Sequence, residues 1–339
     1  MMEKSIRVAS VQFCHRASDK SYNLSVMENL IYQASQENVQ ILAFPEMCIT
    51  GYWHVPNLSS KEVNALAERA ESSQSLDIIT RLAKKYHMAI GSGFIEKGTD
   101  GKLYNSYAIC MPDGERHIHR KLHAFEHPDL TRGNDFTVFD TPWGVRIGVL
   151  ICWDNNLVEN ARITALMGAD ILIAPHQTGG TNSRSPFGMK PIPVSLWENR
   201  YEDPEALKSA FQGDSGRGWI MRWLPSRAHD NGFFILFSNG VGHDNGEIRT
   251  GNAMILDPYG RVINETDSFE DEIVFADLDL GLLPMSTGRR WLHGRRPDLY
   301  HILSESQGYE RDSRTARFSE DIPTFRNIGG KSKERIIDK

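Results

Sequence analysis

Residues 145–175, VRIGVLICWDNNLVENARITALMGADILIAP, constrain the fold more than any other stretch of the chain. From Val145 to Ile151 every residue except Arg146 is apolar or glycine. A strand with one wet face alternates polar and apolar residues, so an unbroken run calls for burial on both faces. Cys152 stands at the carboxyl end, followed by Trp153, Asp154 and two asparagines. The spacing then predicts a helix capped by Asp154, Asn155 or Asn156. Val158, Ala161, Ile163, Ala165, Leu166 and Met167 form its apolar side, and Gly168 ends it. A second strand begins at Ile171. The unit is β-α-β with a thiol at the strand-to-helix corner, where open α/β sheets place their ligands. Helix amides at such a corner lower a thiol pKa and help hold an oxyanion.

Taken alone, a free cysteine at a strand end is ordinarily a small core residue. Company elsewhere in the chain has to give it a function. At 339 residues the chain can form one large α/β domain or two smaller ones. Its net charge of −6 offers no basic excess to meet phosphates, which argues against a nucleic-acid partner. The N-terminus MMEKSIRVASVQF runs directly into a strand, and no apolar run of about 18 residues occurs. These features predict a cytoplasmic protein with no membrane partner. The four cysteines make no disulfide framework and are expected to be reduced.

Along the chain, residues 5–13 read as a buried strand, 23–36 as a helix and 40–44 as a second strand ending in Pro45-Glu46. Glu46 lies in AFPEMCITGYW, an apolar setting that favours a buried acid with a shifted pKa over a solvated loop charge. Residues 61–86 read as two helical pieces. Residues 88–94 and 103–111 form a predicted hairpin. After a Pro112-Asp113-Gly114 turn, a short strand reaches His119 and is followed by RKLHAFEH, which places Lys121 close to Glu126. His117, His119, His123 and His127 match no standard zinc spacing and read as exposed loop histidines, so no metal is expected. Residues 176–230 show weak periodicity with scattered aromatics, the pattern of a large binding loop or lid, with a helix read over 219–230 that brings Arg227 and His229 back to the sheet. Strands are predicted at 233–238, 252–256, 261–264 and 273–278, and a helix at 297–304. The last 30 residues form a polar tail, peripheral or embracing a second subunit.

A thiol, a carboxylate and an ammonium at neighbouring strand ends allow one coherent reaction. Cys152 attacks as a thiolate, and Glu46 takes its proton once burial narrows a pKa gap of about four units. Lys121 meets the developing oxyanion, with a backbone amide near Trp153. Glu46 then protonates the leaving amine and activates water against the thioester. No cofactor is required.

Together FPEMCITGYW, HRKLH and ICWDNNLVENAR, in that order, resemble the nitrilase superfamily of carbon–nitrogen hydrolases over about residues 5–305. The strand segments GNAMILDPYGRVI and FSNGVG add to the likeness. The resemblance implies an α/β fold, a four-layer α-β-β-α sandwich in which subunits pair as a homodimer or higher oligomer. It implies one domain over 1–305, with an enlarged segment at about 176–230 and a polar tail at 306–339. It also implies the catalytic set Glu46, Lys121 and Cys152, with Glu126 as the further glutamate orienting lysine and substrate. Cys-Trp-Asp with Glu159 leans towards small linear amides or N-carbamoyl compounds over nitriles. A nitrilase is the nearest alternative, acyl transfer to another amine uses the same thioester, and a non-catalytic binding protein on this fold is a different class. Tyr52, Trp53, Trp153, His176 and Gln177, just past the catalytic strands, are the substrate-contact candidates. Arg184, Arg200, Arg217 and Arg222 are weighed as carboxylate binders against pairing with the long segment's own acids.

Overall fold

A computed structural model describes residues 5–319. Two sheets stack face to face. One runs β5 (Arg116–Arg120), β4 (Leu103–Cys110), β3 (Ala89–Lys97), β2 (Ile41–Ala43) and β1 (Ser5–Phe13), with β14 (Glu272–Asp279) antiparallel to β1. The other runs β7 (Thr137–Asp140), β8 (Arg146–Val149), β9 (Ile171–His176) and β10 (Phe234–Asp244), then β12 (Met254–Leu256) and β13 (Val262–Glu265). Two short strands complete the set: β6 (Leu130–Thr131) on β4 and β11 (Glu247–Thr250) on β10. The sheets join where the carboxyl end of β1 pairs in parallel with β10 at Gln12–Asn239 and Phe13–Gly240.

Strand alternation sorts the side chains into three cores. Ile6, Val8, Ile147, Val149, Ile171 and Ile173 meet between the sheets. Ala9, Val11 and Leu42 face the helices Lys20–Gln36 and Gln74–Tyr86. Leu150, Leu172, Ile235 and Phe237 face the helices Val158–Leu166 and Leu224–Asn231. Helix, sheet, sheet and helix make the four-layer sandwich expected from the sequence. No helix among the described residues is long and apolar enough to cross a membrane.

Three sequence expectations are corrected. The helix after Cys152 starts only at Val158, because residues Cys152–Asn156 form a 3₁₀ turn first. Its packed side consists of Asn160, Ala161, Thr164 and Ala165, whereas Val158, Ile163, Leu166 and Met167 are exposed. Small residues let this helix lie close on the sheet, and the large apolar ones point outward. Residues 176–230 carry four short helices, Val194–Glu198, Pro204–Gln212, Arg217–Ile220 and Leu224–Asn231; the last overlaps the helix read over 219–230, while proline and glycine breaks hide the others from a periodicity count. Residues 297–304 form two 3₁₀ turns, and the α-helix lies earlier, at Thr287–His293. Of the tail, the described portion folds into a helix, Ser313–Phe318, against the main body; residues 320–339 lie outside the described part.

Candidate active site

Glu46 follows β2 in a loop pinned to both sheets. The Phe44 carbonyl accepts hydrogen bonds from Tyr107 Oη at 2.7 Å and Ser238 Oγ at 2.8 Å. The Glu46 carbonyl accepts from Gln177 Nε2 at 2.8 Å. The loop also presses onto β3 at Gly93, where a Cβ would sit 2.1 Å from the Met47 nitrogen. Only glycine admits that approach.

Lys121 sits just past β5. Its backbone N–H donates to the Asn105 carbonyl at 2.8 Å, while the Asn105 side chain donates to Glu46 Oε1, also at 2.8 Å. One strand residue therefore sets the lysine and the glutamate together. Lys121 Nζ donates to Glu46 Oε1 at 2.6 Å and to Glu126 Oε1. All three side chains are fully buried. Glu126 is held in turn by the Phe125 N–H at 3.1 Å and the Tyr52 hydroxyl at 3.5 Å.

One ammonium cannot neutralise two carboxylates in a fully buried site. Burial raises the Glu46 carboxyl to about 7, and the charge of Glu126 adds to this against the pull of Lys121. Burial would also strip the proton from Lys121, but Glu126 and Glu46 hold its pKa well above the ordinary lysine value. Among the described residues Glu46 Oε2 has no hydrogen-bond partner. It is the free lone-pair position of the cluster.

Cys152 turns the backbone at φ +50°, a left-handed conformation costing a non-glycine residue about 1–2 kcal/mol. Three groups brace the corner. Asp154 accepts from Ile151 N–H at 3.1 Å, Leu122 N–H at 3.2 Å and His123 N–H at 2.8 Å, tying the lysine loop to the cysteine turn. Asn155 donates to the Leu150 carbonyl at 2.7 Å. Arg227, from the helix Leu224–Asn231, donates to the carbonyls of Asn155 and Asn156 at 2.8 and 2.9 Å. Burial pushes the Cys152 thiol well above its ordinary value, and the Glu46 charge adds to it while Lys121 opposes. These effects favour the thiol over the thiolate at rest.

A cavity of about 380 Å³ opens above these groups. Cys152, Tyr52, Trp53, Trp153 and Gln177 line it, together with Phe125, Asn156, Trp219 and Trp223. The long segment contributes Thr178, Thr181, Ser183, Ser185 and Met189 as well, so it forms much of the wall. Glu46, Lys121 and Glu126 lie buried outside that lining.

His176 is not part of the wall. Strand parity puts it with Leu172 and Ala174 on the helix-facing side of β9, where it packs on Phe237 and Trp223 and meets Asn155 Nδ2 at 3.1 Å. Gln177 reaches the cavity while bracing Glu46. Arg184, Arg200, Arg217 and Arg222 also lie outside the lining: Arg217 pairs with Glu265, Arg222 with Asp214, Arg200 packs on Trp197 and Tyr201, and Arg184 donates to the Phe318 carbonyl. The histidines read as exposed loop residues are placed differently, because strand pairing and the packing of neighbouring loops enclose them. His117 and His119 lie on β5, where His117 stacks on Phe139 and the buried His119 lies 3.6 Å from Asp154, and the buried His127 meets the Leu58 carbonyl.

Sequence reasoning missed Asn105, Arg249 and Arg317, and saw Asp154 only as a helix cap. Asn105 was detectable as a polar residue inside the buried run LYNSYAIC, and Arg249 as a lone cation in a strand. Nothing near Arg317 in the sequence marks it.

The fold agrees with the comparisons to known proteins. A family model described as carbon–nitrogen hydrolase matches residues 7–284, and the chain belongs to that family. It is 30% identical to an (R)-stereoselective amidase of a Pseudomonas species over 81% of this chain and 86% of that one. It is 29% identical to a probable nitrilase of Schizosaccharomyces pombe, covering 87% and 97%, and to an omega-amidase of Xenopus laevis, covering 89% and 98%. The amidase of Nesterenkonia sp. AN1, solved with the acetamide moiety of fluoroacetamide added to its active-site cysteine, has a similar fold. The match has a TM-score of 0.64 at 19% identity, over 89% of this chain and 98% of that one. The chain is a hydrolase of carbon–nitrogen bonds other than peptide bonds.

Proposed function

We propose that the chain hydrolyses a small linear amide or N-carbamoyl compound through a Cys152 thioester, releasing ammonia. The observation that carries this reading is the buried Glu46–Lys121–Glu126 cluster beside a cavity with Cys152 in its wall. Glu46, at its raised pKa, accepts the thiol proton through its unpartnered Oε2 as sulfur bonds to the substrate carbonyl. The Lys121 ammonium and the Trp153 backbone amide stabilise the oxyanion, and Glu126 holds the ammonium in place. Collapse breaks the C–N bond, Glu46 returns its proton to the nitrogen, and ammonia leaves. Water then adds to the thioester, Glu46 takes its proton, and the acid departs as sulfur regains a hydrogen. Both half-reactions balance without a cofactor. The covalent adduct on the Nesterenkonia amidase cysteine supports the nucleophile assignment.

In the same reading the four cysteines, all free, suit a cytoplasmic setting. The exposed Val158, Leu166 and Met167 suit a face shared with a second copy. The test is ammonia and carbon dioxide release from panels of amides, N-carbamoyl compounds and nitriles, with Cys152→Ala as control. Both gases indicate a carbamoyl substrate, and ammonia alone from amides an amidase. Turnover of nitriles without amides gives the second reading, favoured by the Schizosaccharomyces pombe relative. Release that survives Cys152→Ala overturns the mechanism.

A further inference from the structure

The cavity wall holds two guanidinium groups and no carboxylate. They are not equivalent. Arg249, on β11, is buried and balanced: its Nε lies 3.1 Å from Asp244 and its Nη2 2.8 Å from Glu247. Arg317, on the helix Ser313–Phe318, has no acid within ion-pair distance among the described residues. Among the described residues its side chain's one hydrogen bond is to Thr181 Oγ1 at 3.3 Å, and Thr181 donates onward to Glu247 at 2.9 Å. The helix that carries it is fixed in place. Arg314 donates to the Phe125 carbonyl at 2.8 Å, Phe318 meets the Phe125 ring edge at 6.1 Å, and Arg184 donates to the Phe318 carbonyl at 2.5 Å. This helix lies beyond the stretch that the family model matches, which ends at residue 284.

We propose that Arg317 is an anion subsite, so that the substrate is an amide carrying a carboxylate at the end remote from the scissile carbon. The inference rests on the cavity being the site of hydrolysis by Cys152. A half-buried cation with no acid in direct contact among the described residues, Glu247 being reached only through Thr181, is poorly compensated until a substrate anion meets it, and a guanidinium offers a carboxylate two parallel donors. Ser183 and Ser185 line the same cavity and add hydroxyl donors.

The experiment compares kcat/KM for the monoamide of glutaric acid with that for pentanamide, which has the same chain length and no charge. The expected wild-type preference is for the charged amide, and Arg317→Gln lowers the ratio about 10- to 100-fold, mainly through KM. Arg317→Lys restores part of it, and unchanged melting temperatures exclude a folding defect. A ratio that does not move, or a wild-type preference for pentanamide, overturns the proposal. Binding is measured separately by calorimetry of glutarate with Cys152→Ala, with and without Arg317→Gln. If the wild type hydrolyses neither amide, the hydrolytic reading fails on its own. Glutarate binding lost with Arg317 then upholds the subsite, and no binding in either variant refutes it.

Discussion

Substituting Glu126 by Gln tests the charge logic of the buried cluster directly. Glu46 and Glu126 each accept from Lys121 Nζ, which puts their facing oxygens at most about 5 Å apart. At an effective dielectric constant near 20, two unit charges at that distance repel by about 3 kcal/mol. This is a little over two pH units in the ionisation of Glu46. With both carboxylates present, one cation serves two anions and Glu46 titrates at about 7. With Gln at 126 the pairing becomes one to one, and Glu46 loses its proton at lower pH. Because Glu46 must be ionised to receive the thiol proton, kcat/KM rises with pH through its pKa. The expected acid limb therefore lies near pH 7 in the wild type and about two pH units lower in Glu126→Gln. The maximal rate also falls, since Lys121 loses a partner. The assay is ammonia release in initial-rate kinetics from pH 4 to 9, with substrate below KM. An acid limb at the same pH in both proteins, whatever the loss of rate, refutes the account of a carboxylate raised by its unneutralised neighbour.

Two further outcomes follow from the geometry. Asp154→Ala leaves the N–H groups of Ile151, Leu122 and His123 without their acceptor, two of them in the lysine loop. At about 1–3 kcal/mol per orphaned donor, the melting temperature falls by several degrees and activity falls with it; a variant of unchanged stability contradicts that bracing role. Leu166→Glu, on the outward face of the helix Val158–Leu166, converts an oligomeric wild type to monomers in light scattering if that face is shared between copies. Unchanged mass places the contact elsewhere.

The parts of the site most legible in the sequence sit directly after apolar strands. Glu46 and Cys152 each follow a run whose burial can be read from composition alone, and parallel sheet geometry brings such positions to one end, whereas Lys121 follows the polar strand RHIHR and is marked only by its closeness to Glu126 and by the HRKLH motif. What failed to show depends on contacts that are remote in sequence. Asp154 looks like a helix cap because caps are local. Its actual role, accepting amides from the lysine loop, exists only once β5 and β8 have been brought together. His176 follows the same kind of strand as Cys152, yet its parity on β9 sends it to the helix side, whereas the left-handed turn at Cys152 breaks the alternation and lets the sulfur face the cavity. Arg317 was hidden for a third reason: a six-residue polar helix has no apolar period to mark it, and its neighbours Phe125 and Thr181 come from distant loops.

The helix Ser313–Phe318 also sets an order of assembly. Arg314 reaches back 189 positions to Phe125, and Arg317 reaches back 136 to Thr181. During synthesis every strand of the sandwich emerges before this helix does, so the sheets can form and the thiol can take its place while one wall of the cavity is still missing. Enclosure of the reaction chamber is thus a late event, separable from the folding of the scaffold that holds the nucleophile.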